Sequence, residues 1–464
     1  MTQSADGPGT MLDMQPVDVE PEESRTPGPP SAAPPLRRAA PAASERSRYV
    51  PEAPHTIAAT GLSGTWLEEL CLKHLFQTGD LRGGELSLRT CLPQALSEEL
   101  LERLRKNKLV DIKGSSGTGL GRSQMIFTMT EAGHRACMLS MERDRYVGPA
   151  PVPFATYAQA VSAQTIRGNR LRRGDLETHF ADLVVQDATF DAIGPAMNSG
   201  KALFFYGPPG NGKTAICQRM THCFGGDVYV PHAVLVDDYV IRVFDETIHQ
   251  RVPVELEGTS VDERWVRVKR PMVIVGGELM LEDLDLRYSQ DVKFYEAPFQ
   301  LKANCGMLLI DDFGRQKVSP KDLLNRWIVP LESEFDFLTM HTGKKLQVPF
   351  DVFVVFSTNL DPKELVDGAF MRRVRYKLEV SRPEASQFTA IFKRECERKK
   401  VKWDPAMIGY LVRKHYQGAN RPFNACEPRD LLAQVADLCA YRGHEPRLTE
   451  EILDRVVANY FVRF

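Results

Sequence analysis

The segment Gly207-Pro-Pro-Gly-Asn-Gly-Lys-Thr214 has residue types and spacing suited to holding phosphate. It follows the apolar run Ala202-Leu-Phe-Phe-Tyr206, which suits a buried parallel strand, and precedes a helical stretch over 215–223. Strand, glycine-rich loop and helix in that order give the pattern its chemistry. The glycines let the backbone curl so that successive N–H groups point inward around phosphate oxygens, and the helix start adds partial positive charge. Lys213 is placed to reach the β- and γ-phosphates of a nucleoside triphosphate, and the Thr214 hydroxyl to ligate Mg²⁺. Gly207, Pro208, Pro209, Gly210, Asn211, Gly212, Lys213 and Thr214 are the candidate nucleotide-binding residues.

Further along, Met307-Leu-Leu-Ile-Asp-Asp312 is an apolar run ending in two carboxylates. Parallel strands buried on both faces read this way, and ligands gather at their carboxyl ends. Asp311 is placed to hold Mg²⁺ through water, and Asp312 to polarise an attacking water.

From about residue 180 to its end the chain resembles an AAA+ ATPase. Residues 207–214 match Walker A and 308–312 match Walker B. Phe356-Ser-Thr-Asn359 ends another apolar strand, 352–356, and resembles sensor 1, which implies that Asn359 helps orient water against the γ-phosphate. Ala369-Phe-Met-Arg-Arg373 resembles the segment that lends an arginine finger to a neighbouring subunit, through Arg372 or Arg373. Glu427-Pro-Arg-Asp-Leu-Leu432 opens a helix and resembles sensor 2 through Arg429. The resemblance implies an α/β P-loop NTPase core with a parallel sheet and a helical C-terminal lid. It implies ATP and Mg²⁺ as cofactors, hydrolysis to ADP and phosphate, and a homo-oligomeric ring, hexameric as in the family. One feature departs from the pattern: most Walker B motifs of the family end in Asp-Glu, and this one ends in Asp-Asp. The shorter side chain implies slower hydrolysis, although some replication initiators and helicase loaders of the superfamily also carry Asp-Asp.

Two inserted features narrow the resemblance. Ala297-Pro-Phe-Gln-Leu-Lys-Ala-Asn-Cys-Gly306 is similar to the approach to Walker B in MoxR-type, magnesium-chelatase and related ATPases. Residues 337–350 read as a hairpin turning at His341-Thr-Gly-Lys344, with Leu338 and Met340 on one arm and Leu346, Val348 and Phe350 on the other. It resembles the pre-sensor-1 insertion of that clade. Residues 228–287 exceed what a minimal core needs and read as another insertion, with a strand-like run over 265–275. Tyr229 and Tyr239 are candidate substrate-gripping aromatics there, with core packing favoured for both.

The whole chain, 464 residues and 52.2 kDa, is long enough for two or three domains. Lys+Arg (59) nearly balance Asp+Glu (61), which excludes a chain that is basic throughout. No apolar run approaches a membrane span, and the start lacks a basic segment followed by an apolar one. The nine cysteines form no C-x-x-C pair, which fits reduced thiols in a cytoplasmic protein. Cys223 beside His222 comes nearest to a metal-ligand cluster and reads as helix packing.

Residues 1–54 hold 11 of the 31 prolines and a single aromatic, Tyr49, and read as a disordered tail. Residues 55–147 read as helices over 66–76, 85–90 and 93–107, then strands over 109–113 and 124–129 around the loop Gly114-Ser-Ser-Gly-Thr-Gly-Leu-Gly121. Thr130-Glu131 suits the start of a closing helix. This order resembles a small α+β winged helix-turn-helix domain. Its third helix opens on Ser97-Glu98-Glu99 and continues to Glu102, with Arg103, Arg105, Lys106 and Lys108 later, and the wing adds only Arg122. Over 61–146 there are 12 basic against 11 acidic residues, so counterion release on DNA would be weak. A role docking a protein or organising subunits is therefore favoured over binding duplex DNA. Residues 148–179 read as a linker opening on a stiff proline-rich stretch, 180–382 as the nucleotide core with its insertions, and 383–464 as the lid. The lid shows helical runs at 385–399, 406–415, 428–442 and 449–457. The function expected is ATP-driven remodelling of an unidentified protein partner; the alternative is a DNA-associated regulator or loader.

Overall fold

The computed structural model describes residues 49–115, 124–168, 170–253, 260–365 and 368–461. Most of the proline-rich tail and the tip of the glycine-rich loop, with Arg122, lie outside the described residues. The end of that tail is packed: Tyr49 meets Tyr229 and Trp265 edge-on, at ring distances of 6.5 and 6.2 Å, and Glu52 bridges Val261.

The front of the chain runs α1 (Gly64–Thr78), β1 (Leu81–Arg82), α2 (Gly83–Thr90), α3 (Gln94–Lys106), β2 (Val110–Ser115), β3 (Met125–Met129) and α4 (Glu131–Arg143). Ser63 accepts from the Trp66 N–H and Thr130 from the Gly133 N–H, both at 3.1 Å, satisfying donors that a helix start leaves orphaned. Leu67, Leu70, Cys71 and Leu75, at helical spacing on α1, share a buried core with Leu100, Leu101 and Leu104 of α3. The strands pair in the antiparallel order β1-β3-β2. A Cβ on Gly133 would stand 2.0 Å from the Leu109 carbonyl oxygen, so only glycine fits where α4 crosses β2.

Residues 148–179, expected as a linker, instead hold β4 (Val152–Pro153), α5 (Phe154–Ala163) and α6 (Arg173–His179). Tyr157, Ala160 and Val161 recur at helical spacing and are buried on α5, which explains why the stiff proline-rich opening does not extend through the segment. After α7 (Asp187–Ser199), β5 (Leu203–Tyr206) and α8 (Lys213–Cys223) comes a β-rich insertion. It comprises β6 (Asp227–Pro231), β7 (Ala233–Val236), β8 (Tyr239–Arg242) and β9 (Trp265–Lys269). β10 (Met272–Val275), β11 (Arg287–Ser289) and β12 (Phe294–Glu296) follow. One sheet has the order β11-β12-β8-β7-β4, and β6 pairs with β9 separately. Ala233 and Val240 of this insertion belong to the same core as the front helices.

The strand expected over 265–275 is broken at Arg270-Pro271. Proline carries no N–H to continue a ladder, and Arg270 turns away to donate to the Gly225, Gln164 and Cys305 carbonyls. Its second half, β10, is not part of the insertion. It is the edge strand of the central sheet.

That sheet is completed after α9 (Phe299–Lys302) by β13 (Gly306–Ile310) and, beyond α10 (Pro320–Ser333) and the hairpin β14 (Phe335–Thr339)–β15 (Lys345–Pro349), by β16 (Val352–Thr358). Then come α11 (Pro362–Leu365), α12 (Gly368–Arg373) and β17 (Tyr376–Glu379). The order is β10-β13-β16-β5-β17, with every pairing parallel. β13 and β16 are buried along their whole length, as expected for strands covered on both faces. The fold is α/β, with the glycine-rich loop following β5 of an all-parallel sheet. The C-terminal helices, read from the sequence as a lid and called so below, are α13 (Ala385–Lys399), α14 (Pro405–Leu411) continued by a π-helical turn, α15 (Glu427–Tyr441) and α16 (Glu450–Tyr460). They enclose their own core around Phe388, Phe392, Tyr416, Leu431 and Leu453. Among the described residues no helix is long and apolar enough to cross a membrane.

Candidate functional site

β5 delivers the chain into the glycine-rich loop, and α8 begins at Lys213. Gly207, Gly210 and Gly212 have φ of +133°, +77° and +87°. These conformations belong to glycine. A Cβ on Gly207 would lie 2.4 Å from the Val380 carbonyl oxygen, and one on Gly210 would lie 2.6 Å from the Cys426 sulfur. The loop is therefore clamped between the end of β17 and the lid. Two further bonds fasten the lid to it: the Cys426 N–H donates to the Gly210 carbonyl (2.8 Å), and the Ala425 N–H to Asn211 Oδ1 (3.1 Å).

The Lys213 ammonium donates to the Gly207 and Pro208 carbonyls (2.9 and 3.0 Å) and to Asn359 Oδ1 (2.5 Å). Burial holds it below the usual lysine range, with the Asp311 and Asp312 charges opposing that shift. Asn359 uses its other amide atom to donate to Asp312 Oδ1 (2.8 Å). Thr214 donates to Asp311 Oδ2 (2.9 Å). The ends of β13 and β16 therefore bring Asp311, Asp312 and Asn359 to the start of α8, although long stretches of chain separate them.

Asp312 has φ +48°, a left-handed conformation that Asp enters more readily than most side chains. The backbone is held there by bonds from the Phe313 N–H to the Ser357 carbonyl (2.7 Å) and from the Thr358 hydroxyl to the Phe313 carbonyl (2.8 Å). The geometry gives a local reason for Asp at this position.

These groups open into a cavity of about 510 Å³ between core and lid. Its other walls are Leu183 and Val185 before α7, and Ile391 and Arg394 of α13. Arg429 also lines it, with its Nε donating to Asp430 (2.9 Å) and its side chain 58% exposed. The apolar wall was not read from the sequence. Leu183, Val185 and Ile391 look like any core residues, and only the position of α13 turns that face toward the loop.

Arg372 and Arg373 lie elsewhere. With Lys201, Glu332 and Arg375 they line a separate hollow, and Arg373 Nε donates to Glu332 (2.7 Å). Neither is among the described residues that line the loop cavity.

Thr214 and Asp311 present hard oxygen donors side by side, the chemistry Mg²⁺ prefers. Among the described residues no group of three or more His, Cys, Asp or Glu could hold a metal alone. An ion at Thr214 would complete its shell from phosphate and water, as Mg²⁺ commonly does. Cys223 bonds along its own helix to the Arg219 carbonyl (3.2 Å).

The candidate gripping aromatics are packed. Tyr229 is 3% exposed, and Tyr239 meets Tyr295 and His341 edge-on. The β14–β15 hairpin is also docked at its tip: Lys344 pairs with Asp237, His341 stacks on Tyr288 at 4.0 Å, and the His341 N–H donates to the Tyr295 hydroxyl (3.0 Å).

Residues 384–459 match a family described as a domain of unknown function (DUF8689), which is the lid region alone. No curated protein matches the chain. Similar solved structures include NtrX from Brucella abortus in complex with ADP, at 14% identity and a TM-score of 0.38, covering 72% of this chain and 68% of that one. The ATP complex of the same protein is 14% identical with a TM-score of 0.35, covering 71% of this chain and 64% of that one. A RuvB mutant from Thermotoga maritima is 13% identical with a TM-score of 0.34, covering 62% of this chain and 70% of that one.

Proposed function

We propose that this chain is an AAA+ ATPase that binds ATP with Mg²⁺ between the 207–214 loop and the lid and hydrolyses it to ADP and phosphate. One observation carries the reading: the linked set Lys213–Asn359–Asp312 stands beside Thr214–Asp311 at the mouth of a glycine loop. Lys213 is a desolvated cation satisfied only by neutral oxygens, so a triphosphate offers it a stronger partner than it has. Loop N–H groups and the start of α8 would hold the remaining phosphate oxygens. Asn359 would orient the attacking water and Asp312 polarise it. Thr214 and Asp311 would hold Mg²⁺, which when bound would supply charge neutralisation at the phosphates. Arg429, with Arg394 lining the same cavity, would sense the phosphates from the lid.

Arg372 and Arg373, set apart from their own loop, are suited to completing the site of an adjoining copy in a homo-oligomeric ring, hexameric in this reading. The β14–β15 hairpin between Walker B and sensor 1 supports the MoxR-type resemblance. The front helices and strands support the winged-helix reading, and their charges favour a protein partner over DNA. Arg103 pairs with Glu68, Arg105 with Glu102, Lys113 with Asp80 and Arg143 with Glu69, so these cations already have carboxylate partners. Leu88, Met138 and Leu139, by contrast, are 74%, 55% and 66% exposed. The client is then a protein remodelled in the cytoplasm, where the nine unpaired cysteines would stay reduced.

Steady-state ATPase assays over a range of protein concentrations test this. Turnover per chain is expected to rise with concentration and to collapse in Lys213→Ala. Turnover equal in wild type and Lys213→Ala at every concentration would refute it.

A further inference from the structure

Away from the loop cavity, a hollow of about 500 Å³ is lined by the segment after α4 and by the β-rich insertion. Arg145 comes from the first, Arg242 and Arg251 from the second, and Glu246 is the one carboxylate among the described residues that line it. Arg242 donates to Glu296 (2.8 Å), but Arg251 reaches Glu246 at only 3.4 Å. The Arg145 side chain has no hydrogen-bond or carboxylate partner among the described residues. Positive charge is therefore left over at this place.

The hollow also has aromatic faces. The Arg251 guanidinium lies over the Phe244 ring, 4.5 Å from its centre, and Phe244 meets His232 at 5.2 Å. Tyr146, next to Arg145, meets Phe294 edge-on at 5.6 Å. Burial pushes the Tyr146 hydroxyl up and the Arg242 charge opposes that rise, so the insertion's charge is felt at the segment after α4. Guanidiniums among aromatic rings suit a ligand that interleaves carboxylates with apolar side chains.

The chain carries such a segment. Residues 1–24 contain no Lys or Arg, and Met11-Leu-Asp-Met-Gln-Pro-Val-Asp-Val-Glu-Pro-Glu-Glu23 interleaves Met, Leu and Val with Asp and Glu. It lies outside the described residues, which begin at Tyr49 close to the hollow. The Asp262 N–H donates to the Pro51 carbonyl (2.9 Å), and two residues on, the Arg264 carbonyl accepts from the N–H of His232, a lining residue (3.0 Å). Residues 24–48 join the acidic segment to that point. A flexible stretch of their length spans roughly 25–30 Å and gives an effective concentration on the order of millimolar.

We propose that this hollow is the docking site of the chain's own residues 11–23, whose carboxylates pair with Arg145 and Arg251 and whose apolar side chains meet the rings. The docking is independent of the nucleotide reading of the 207–214 loop.

Anisotropy titrations of a fluorescein-labelled peptide of residues 11–23 test it on full-length chains. One is wild type, and one carries Asp13→Asn, Asp18→Asn, Glu20→Gln, Glu22→Gln and Glu23→Gln. This amide variant leaves its hollow open to the peptide and is expected to bind it; wild type, filled by its own segment, should bind about tenfold or more weakly. Adding Arg145→Glu and Arg251→Glu, both exposed, to the amide variant should weaken the peptide by about tenfold or more. Arg145→Gln with Arg251→Gln should give a smaller loss in the same direction. Three results overturn the proposal: no peptide binding by the amide variant, equal binding after charge reversal, or equal binding by wild type and the amide variant. Wild-type blocking that fades on dilution gives the hollow to another copy's tail, and equal binding of a glutamate homopolymer gives it to acidic partners in general. Either overturns the assignment to the chain's own segment.

Discussion

The loop cleft and the front helices both carry many charges, and they dispose of them in opposite ways. At the cleft, Lys213 is desolvated and bonded only to carbonyl and amide oxygens, with its carboxylates one step removed. In the front helices each of several surface cations has its own carboxylate, and the one deeply buried lysine, Lys73, is neutralised by Asp144 at 2.7 Å. A cation left with neutral partners is prepared for an incoming anion, and one already paired is not. The same contrast separates a site from a scaffold within one chain.

The contrast can be attacked first where its effect is greatest. Asp312→Asn retains an oxygen for Asn359 to donate to but removes the charge, and turnover should drop about a hundredfold or more. ATP affinity in the same variant should stay within a few fold, as calorimetry beside the turnover assay can check. In the scaffold, Asp144→Ala strands a lysine that is 2% exposed and should cost about 3–5 kcal/mol in chemical denaturation. A cost below about 1 kcal/mol would place that pair with ordinary surface bridges.

Acid should probe the front helices together with the β-rich insertion. Burial holds His74, His232 and His249 below the usual histidine range, His232 down to about 4 with Arg251 adding to the effect. Below pH 6.5 the unfolded chain takes up protons that the folded chain excludes. Stability is therefore present above about 6.5 and is lost as pH falls toward about 4. His232→Phe should flatten that fall in the unfolding midpoint; an unaltered pH profile would show that His232 contributes nothing to it. The smallest effect is expected at Arg103→Ala, which breaks an exposed pair with Glu68 and should change stability by less than about 1 kcal/mol. Full-length protein titrated with duplex DNA at low and high salt should show little salt-sensitive binding. Tight binding that weakens steeply with salt would make the front helices a DNA site after all.

The parts of the cleft that could be read from the sequence are those whose residue types are unusual where they stand. Glycines clustered before a lysine, and carboxylates or an asparagine ending an apolar strand, have few other uses. The structure accordingly places Lys213, Thr214, Asp311, Asp312 and Asn359 together. The first lid helix also runs over the residues its periodicity marks, Ala385–Lys399. The apolar wall of the cavity was illegible because Leu183, Val185 and Ile391 are ordinary apolar residues, and their place in the cavity depends on where α7 and α13 come to rest. The reading of 148–179 as linker gave a local proline-rich stretch too much weight against the helical spacing of Tyr157, Ala160 and Val161. The assignment of β10 to the insertion failed because period-2 patterning identifies a strand without saying which sheet it joins.

Calorimetric titration of Mg·ATP into wild type and Lys213→Ala tests the central claim most directly. Wild type should bind one nucleotide per chain, and the variant should bind about tenfold to a hundredfold more weakly, the scale of a lost charged hydrogen bond. Equal binding by the two proteins, or none by wild type, would contradict it.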